Sequence, residues 1–478
     1  MRPIPSIPSF AIVGQPNEGK TTVMATLAED DRAAISPVPG TTQVRQRYPV
    51  SVDGEDILVF FDTPGFENAE AVLEWFKKNE GLPSPVETFI ATFGGQGTFR
   101  QEVEILAPLG EGAAVMYVVD ASRPVRPVDR QEVEVLRLTG ARRIGVINSK
   151  AGEGEYLDDW RQLMARDFNH VHEFNGHKAT FRDRIKLLEA ARTVIQEWEV
   201  PMGRSIQALR DDWEVRLREV TGLIVQDIKG TAELREHETI QNPGDEERAA
   251  ARAKERLMDA LRQREQAFRK KVRRIFHHSD ERWLMSELLG QDLFSMEVWR
   301  LLGLTRGQLV LVGAGSGAVS GGLAALFLGH PHAAPLTMPI GAAGGAAVAW
   351  FGAEKAINVK LPRRKIGPVA FGGGKIGGRQ AEASILPQSN LFWVVLDRYF
   401  LYVELCASWA HGRREKSAPI GDEEKKMGVT TRWEGAGRKK VTEYVANILK
   451  RKDPEKLDAA ERALRAFLLA ELHGITGF

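Results

Sequence analysis

From Phe10 to Val200, short apolar runs alternate with stretches of helical periodicity. Phe10 to Val13 reads as a buried strand running into a loop at Gly14. Arg45 to Val52 and Ile57 to Phe61 read as a strand pair around the turn Val52-Asp53-Gly54-Glu55. Ala113 to Val119 and Arg143 to Ile147 are two further strands, and helical patterns such as Pro127 to Leu138 fit between them. Strands alternating with helices imply a mostly parallel α/β sheet flanked by helices. The stretch from Phe66 to Gly112 is long for one crossover, and two helices around Gly94-Gly95-Gln96-Gly97 are expected there.

Beyond Val200 the strand signals fade. Ser205 to Glu236 and Asp245 to His277 read as charged amphipathic helices with solvated outer faces. From Gly307 to Ala353 there is then no Asp, Glu, Lys or Arg. Two apolar stretches, Leu309 to Leu328 and Leu336 to Phe351, flank His330-Pro331-His332 and Pro335. Gly313, Gly317 and Gly321 recur every fourth residue, as do Gly341, Gly345 and Ala349, and Gly344, Val348 and Gly352. Such small-residue faces allow close backbone approach. Each stretch is near the minimum length for spanning a bilayer. The flanks are basic, with Arg300 and Arg306 before and Lys355, Lys360, Arg363, Arg364 and Lys365 after. A two-span hairpin with both ends cytoplasmic satisfies the positive-inside rule. The alternative is a hairpin buried in a soluble α-domain, since glycine and alanine are only modestly hydrophobic.

Phe371 to Arg379 is glycine-rich but lacks a Gly-Lys-Ser/Thr ending, and reads as a flexible linker. Leu391 to Trp409 is an apolar helix interrupted by Asp397, Arg398 and Glu404, and Lys456 to Leu472 is a final helix. The expected organisation is an α/β domain over 1–198, charged helices over 199–300, an apolar hairpin over 301–360 and a helical region over 361–478.

Lysine plus arginine (65) nearly balances aspartate plus glutamate (64), so any nucleic-acid or membrane contact must come from local patches. Phe268 to Arg274 and Arg432 to Lys440 are such basic stretches. Cys406 is the only cysteine, which excludes an intramolecular disulfide and a cysteine metal cluster and fits a reducing cytosol. The opening MRPIPSIPSF lacks the pattern of a signal peptide, so secretion is not expected.

The chemistry is concentrated near the start. Gly14-Gln15-Pro16-Asn17-Glu18-Gly19-Lys20-Thr21 matches G-x-x-x-x-G-K-[ST] and stands between a strand and a helix. Its glycines let backbone N–H groups curl around a phosphate, and the helix N-terminus adds partial positive charge. Lys20 would reach the β- and γ-phosphates and Thr21 would ligate magnesium. Glu18, Gly19 and Thr22 complete the candidate nucleotide contacts of this loop. Asp62-Thr63-Pro64-Gly65 follows a strand, where Asp62 can hold the magnesium shell and the Gly65 N–H can meet the γ-phosphate. In Pro39-Gly40-Thr41-Thr42 a threonine can close onto magnesium when the γ-phosphate is present, the basis of an order–disorder switch.

These residues resemble the GTPases of the Era and TrmE group, within the translation-factor-related P-loop class. That group combines G-x-P-N-x-G-K-[ST], a G-T-T switch and D-T-P-G. The resemblance implies GTP and Mg2+, with Thr21, Thr42 and Asp62 around the metal and Lys20, Thr42, Gly65 and Asn17 in hydrolysis. Phe66 stands where signalling GTPases carry a glutamine, and the Era and TrmE group is apolar there too. In some members potassium, held partly by the asparagine of G-x-P-N, supplies charge instead, which makes Asn17 a candidate K+ ligand. The group's base-reading N-K-x-D is broken here as Asn148-Ser149-Lys150-Ala151. Asn148 and Lys150 remain candidate nucleotide contacts, but Ala151 replaces the carboxylate that selects guanine. GTP preference through backbone contacts, a relaxed site that also takes ATP, and a weakly binding scaffold all stay open. Phe174 to Lys178 is a faint match to the last base-contacting loop.

The remaining chain, through Asn390 to Arg398 and His411-Gly412-Arg413-Arg414, resembles a bacterial GTPase family with a C-terminal domain of unknown function. Taken together, the expectation is a membrane-associated GTPase switch, with lipid contact through 307–353 and an unknown protein partner. An RNA or ribosome-assembly GTPase and a non-hydrolysing regulatory NTP-binding protein are the alternatives.

Overall fold

The computed structural model describes residues 6–31, 42–148, 155–242, 244–279, 287–295, 298, 302, 357–361, 379–385, 391–413, 428–433, 435–450 and 453–477. The apolar hairpin of 307–353, Thr41, Ser149, Lys150, Ala151, the linker at Phe371 to Gly378 and Arg414 lie outside these residues.

The first half is a six-stranded sheet. Its elements run β1 (Ser9–Val13), α1 (Lys20–Ala28), β2 (Gln46–Val52), β3 (Glu55–Asp62), α2 (Ala69–Lys78), α3 (Pro85–Phe93), α4 (Arg100–Gly110), β4 (Ala114–Val119), α5 (Pro127–Leu138), β5 (Arg143–Ile147), α6 (Leu157–Asp167), β6 (His170–Glu173) and α7 (Phe181–Val194). The spatial order is β2-β3-β1-β4-β5-β6, parallel except for the edge strand β2. Every residue of β1 and β4 is buried, as expected of central strands covered on both faces. Edge position lets β2 tolerate Pro49, which has no N–H to give a ladder. The β2–β3 turn has Asp53 at φ 52° and Gly54 at φ 82°, the two positive angles that match hairpin twist.

One face of the sheet packs on α1 and α7, and the other on α2 to α6. The expectation of two helices over Phe66 to Gly112 gives way to three. Gly81-Leu82-Pro83-Ser84-Pro85 breaks the first half of that stretch, because Pro85 suits a helix start and not an interior. Trp75, Phe76, Phe89, Phe93 and Phe99 then close the three helices around one aromatic cluster.

The second half begins with α8 (Glu199–Glu233), followed by β7 (Arg235–Ile240), α9 (Glu246–Ile275), α10 (Glu287–Gly290), β8 (Ile357–Lys360), β9 (Arg379–Ile385), α11 (Leu391–Ser408), α12 (Gly435–Leu449) and α13 (Pro454–Thr476). At 35 residues, α8 is about 50 Å long and joins the two halves. Its apolar stripe recurs every three or four residues through Met202, Ile206, Leu209, Trp213, Leu217, Val220, Ile224 and Ile228. The first part of that stripe lies under the sheet, where Ser205 Oγ donates to Ile57 O at 2.7 Å. Trp213 stacks on Phe181 of α7 with centroids 4.3 Å apart. The later part meets α9, α12 and α13.

The second half is helical as expected, with one addition. The strands β7, β9 and β8 form a small antiparallel sheet in that order, laid against α9. Among the described residues no helix is long and apolar enough to cross a membrane. Two of the charged interruptions of α11, Asp397 and Arg398, are internal. Asp397 accepts from Thr430 N at 2.6 Å and Thr430 Oγ1 at 2.9 Å, and Arg398 is buried against Glu265 of α9.

Candidate functional site

The loop between β1 and α1 is held from several sides. Gly14 has φ 148°, and a Cβ there would fall 2.2 Å from Val118 O of the adjacent strand, so the loop closes on β4 only without a side chain. The Glu18 side chain is buried; it accepts from the Asp120 N–H and pairs with Arg123 Nε at 2.5 Å. Asn17, with φ 67°, stands exposed on the loop. Lys20 Nζ donates to Gln15 O at 3.0 Å, turned inward over the loop where a phosphate would lie.

Three sequence-picked residues meet at one atom. Thr21 Oγ1 donates to Asp62 Oδ2 at 2.9 Å, and Thr42 Oγ1 donates to the same oxygen at 3.1 Å. Asp62 is 1% exposed, and its other oxygen, Oδ1, is buried without a hydrogen-bond partner among the described residues. Burial pushes the Asp62 carboxyl up from its usual range; hydrogen bonds from Thr21 and Thr42 and the charge of Lys20 only partly offset this. A buried carboxylate with an unmatched oxygen and two hydroxyls alongside fits a hard divalent cation, which takes oxygen donors. Magnesium bound there would neutralise charge between the β- and γ-phosphates.

Gly65 is buried against Pro16 of the loop, and the strand end is fixed by Thr63 Oγ1 donating to Ile12 O at 2.7 Å. Phe66 is buried in the core with Ala69 and Val72 of α2, so its ring faces away from solvent.

Asn148, fully buried, ties the base side together. Its Nδ2 donates to Glu18 O at 3.0 Å and its Oδ1 accepts from Gly176 N at 3.1 Å. Thr26 Oγ1 donates to Gly176 O at 2.8 Å, so Phe174 to Lys178 is brought against α1 and the phosphate loop. Thr22 is buried beside it.

Other residues around the site carried no sequence signal. Glu102 of α4 accepts from the N–H groups of Glu67 and Asn68 at 2.9 and 2.8 Å, pinning the chain after Gly65. Glu104 accepts from the Arg45 N–H at 3.1 Å, just after Thr42. Both acids lie in an ordinary-looking helix, and only the fold shows that it borders both loops. Glu132 is fully buried, accepting from Tyr117 Oη at 2.7 Å and from Gln15 Nε2 of the phosphate loop. Burial raises the Glu132 carboxyl to about 8.

That shift has a testable sign. Between the ordinary carboxylate range and about 8, the folded chain keeps a proton that the unfolded chain releases. Stability from this group is therefore present at low pH and lost as pH rises through that window. A melting series from pH 6 to pH 9 should show wild type losing on the order of a few kcal/mol from this group. Glu132→Gln should flatten the decline, and parallel curves for the two proteins would contradict the assignment.

A parallel sheet with G-x-x-x-x-G-K-T after β1 and D-T-P-G after β3 defines a P-loop nucleotide-binding domain. Residues 9–149 match the family described as 50S ribosome-binding GTPase. Residues 161–469 match the family described as Domain of unknown function (DUF3482), and the chain belongs to that family. Its P-loop domain is homologous to those of two bacterial GTPases. The tRNA modification GTPase MnmE of Geobacillus kaustophilus is 26% identical over 192 residues, 39% of this chain and 40% of that protein. GTPase Der of Proteus mirabilis is 30% identical over 131 residues, 27% of this chain and 21% of that protein. The chain thus spans less than half the length of these curated relatives. A crystal structure of Era in complex with MgGDPNP and a segment of 16S ribosomal RNA matches with a TM-score of 0.26 at 23% identity, over 36% of this chain and 51% of that one. A likeness that slight adds nothing to the reading.

Proposed function

We propose that this chain is a magnesium-dependent, GTP-hydrolysing switch whose nucleotide state is transmitted to its helical half. The observation that carries the proposal is the convergence of Thr21 and Thr42 on Asp62, with Oδ1 buried and unmatched. Thr21, Thr42 and Asp62 would hold the magnesium, directly or through its water shell. Lys20 would exchange Gln15 O for the β- and γ-phosphates. Gly14, Glu18, Gly19 and Thr22 would offer backbone N–H groups, and the Gly65 N–H would meet the γ-phosphate. Phe66 has no group to orient water, so the missing positive charge is assigned to potassium held partly by Asn17. Asn148 would set the base pocket by joining the phosphate loop to Gly176. Lys150 keeps its place as a candidate base contact from the sequence alone.

Membrane association rests on the sequence of 307–353, whose small-residue faces and basic flanks suit a hairpin on the cytoplasmic face of a membrane. An RNA-directed role is the second reading. It is favoured by the description of the matched GTPase family as ribosome-binding and by tRNA modification GTPases among the relatives. Of its basic run at Phe268 to Arg274, Arg269 is buried and spent internally, while Lys270, Lys271 and Arg274 stand exposed.

The test is binding and turnover of GTP and ATP with magnesium, in potassium and in sodium, with liposomes and with ribosomal RNA as separate additions. Tighter binding of GTP, faster turnover in potassium and loss of that gain in Asn17→Ala are expected. Equal affinity for ATP would remove the guanine assignment, and no magnesium-dependent turnover would remove the enzyme. Liposome flotation separates the membrane reading from the RNA reading.

A further inference from the structure

Asp31 lies just after α1, on the chain that leads to Pro39-Gly40-Thr41-Thr42 where the sequence places the switch, and the helical half grips it. His411 Nδ1 lies 2.6 Å from Asp31 Oδ1. Ser279 donates to Oδ2 from its N–H at 2.7 Å and from Oγ at 3.2 Å, and His278 Nδ1 stands 3.6 Å from the same oxygen. The ring of His278 is anchored by Nε2 at 2.9 Å from Cys406 O, at the end of α11. Burial disfavours the Asp31 carboxylate, but the adjacent His278 and the hydrogen-bonded His411 outweigh it and hold the carboxyl well below its usual range. Burial and the neighbouring His278 push His411 down to about 4, so at neutral pH its ring is uncharged and serves Asp31 as a plain donor.

The next residue reaches α1 itself. Gly412 N donates to Thr26 Oγ1 at 2.9 Å, and Thr26 passes the bond on to Gly176 O. A Cβ on Gly412 would fall 2.4 Å from Thr22 O, one residue from the metal-side hydroxyl of Thr21. His411-Gly412 therefore touches the entry to the switch, the helix behind the phosphate loop and, through Thr26, the base-side loop.

The composition of Asp31, His278 and His411 also suits a transition metal, with donor atoms within 4.8 Å of one another. The rings do not. An ion held by one nitrogen of each imidazole at about 2 Å lies in both ring planes. Here the rings stack with centroids 4.2 Å apart and planes only 17° apart, so the planes do not cross within bonding reach.

We propose that the Asp31–His411 contact, with Gly412 seated on α1, is a latch through which the helical half stabilises the triphosphate-bound switch. The proposal deepens the switch function above and rests on it. In this structure Thr42 sits on Asp62 while Asp31 sits on His411, so the latched arrangement accompanies the closed position of Thr42. Coupling of this kind is reciprocal. Opening the latch makes closure of Thr42 less favourable and weakens binding of the triphosphate. GDP, whose binding does not use Thr42, is left alone.

The test is the affinity of the full chain for fluorescent GTPγS with magnesium and for fluorescent GDP. His411→Ala should weaken GTPγS about fivefold or more with GDP little changed, and His411→Gln, which keeps a donor, should recover part of the loss. Equal losses for both nucleotides, or none, overturn the latch. A wild type that binds neither nucleotide removes the switch function itself, and the latch with it. Hydrogen exchange on the wild type covers the case in which the variants do not fold. Amides of 26–31 and 277–279 should be better protected with GTPγS than with GDP, and identical protection overturns the proposal.

Discussion

Asp62→Asn is expected to reduce magnesium-dependent nucleotide turnover by about 10²–10³-fold while leaving the fold as stable as the wild type or more so. The two effects would separate if, as proposed, the carboxylate serves a cation more than the apo fold. Asp62 is buried, its pKa is raised by that burial, and its Oδ1 has no hydrogen-bond partner among the described residues. An amide keeps the shape and can still accept from Thr21 and Thr42, yet it removes a charge that is costly to bury. It also removes the anionic oxygen that would hold the magnesium shell. Loss of one preorganised charge contact at the transferring phosphoryl group has effects of this size. Turnover within about tenfold of wild type, at saturating magnesium, would mean the cation is held elsewhere. A large drop in melting temperature would show instead that Asp62 mainly holds Thr21 and Thr42 in place.

The phosphate side of the site was legible because its physics is local. A glycine-rich turn between a buried strand and a helix is written in eight consecutive residues, Gly14 to Thr21. The five strands read from the sequence were equally local, four as apolar runs and β2 through its Asp53-Gly54 hairpin to β3. The sheet of β7, β8 and β9 was not. Arg235 to Ile240 alternates charged residues and finds its partner, Arg379 to Ile385, far along the chain. The apolar alternation of Ala381, Ala383 and Ile385 was the one available cue, and small alanines make it faint. Glu102, Glu132 and the Asp31–His411 contact were invisible for the same reason. Each depends on which helix or loop end the fold brings beside the site.

The helical half has its own expected large effect, at Glu265. The carboxylate accepts from Arg398 Nε at 2.6 Å and from Arg269 Nη2 at 2.5 Å. Both arginines are buried, and both also bond main-chain carbonyls, with Arg269 Nη1 on Leu289 O at 3.0 Å and Arg398 Nη2 on Gln291 O at 3.0 Å. Burial pulls the Arg398 guanidinium below its usual range, but the adjacent carboxylate keeps it charged. Glu265→Ala would leave two enclosed cations facing each other, and breaking a buried pair from one side costs about 3–5 kcal/mol. Replacing Glu265, Arg269 and Arg398 together with apolar residues of similar volume should cost much less, because no charge is then stranded. Urea unfolding of the full chain, followed by tryptophan fluorescence, would measure both changes. A single substitution costing under about 1 kcal/mol would mean that water reaches the cluster. The expected contrast makes the Leu-Asp-Arg-Tyr run of α11 a structural signature. Asp397 caps Thr430, Arg398 shares Glu265, and Tyr399 Oη donates to Asp227 of α8 at 2.5 Å, so three consecutive side chains fasten α11 to three different parts of the helical half. The segment that leaves the same helix carries His411 and Gly412 to the nucleotide domain, where Asp31 and Thr26 hold them.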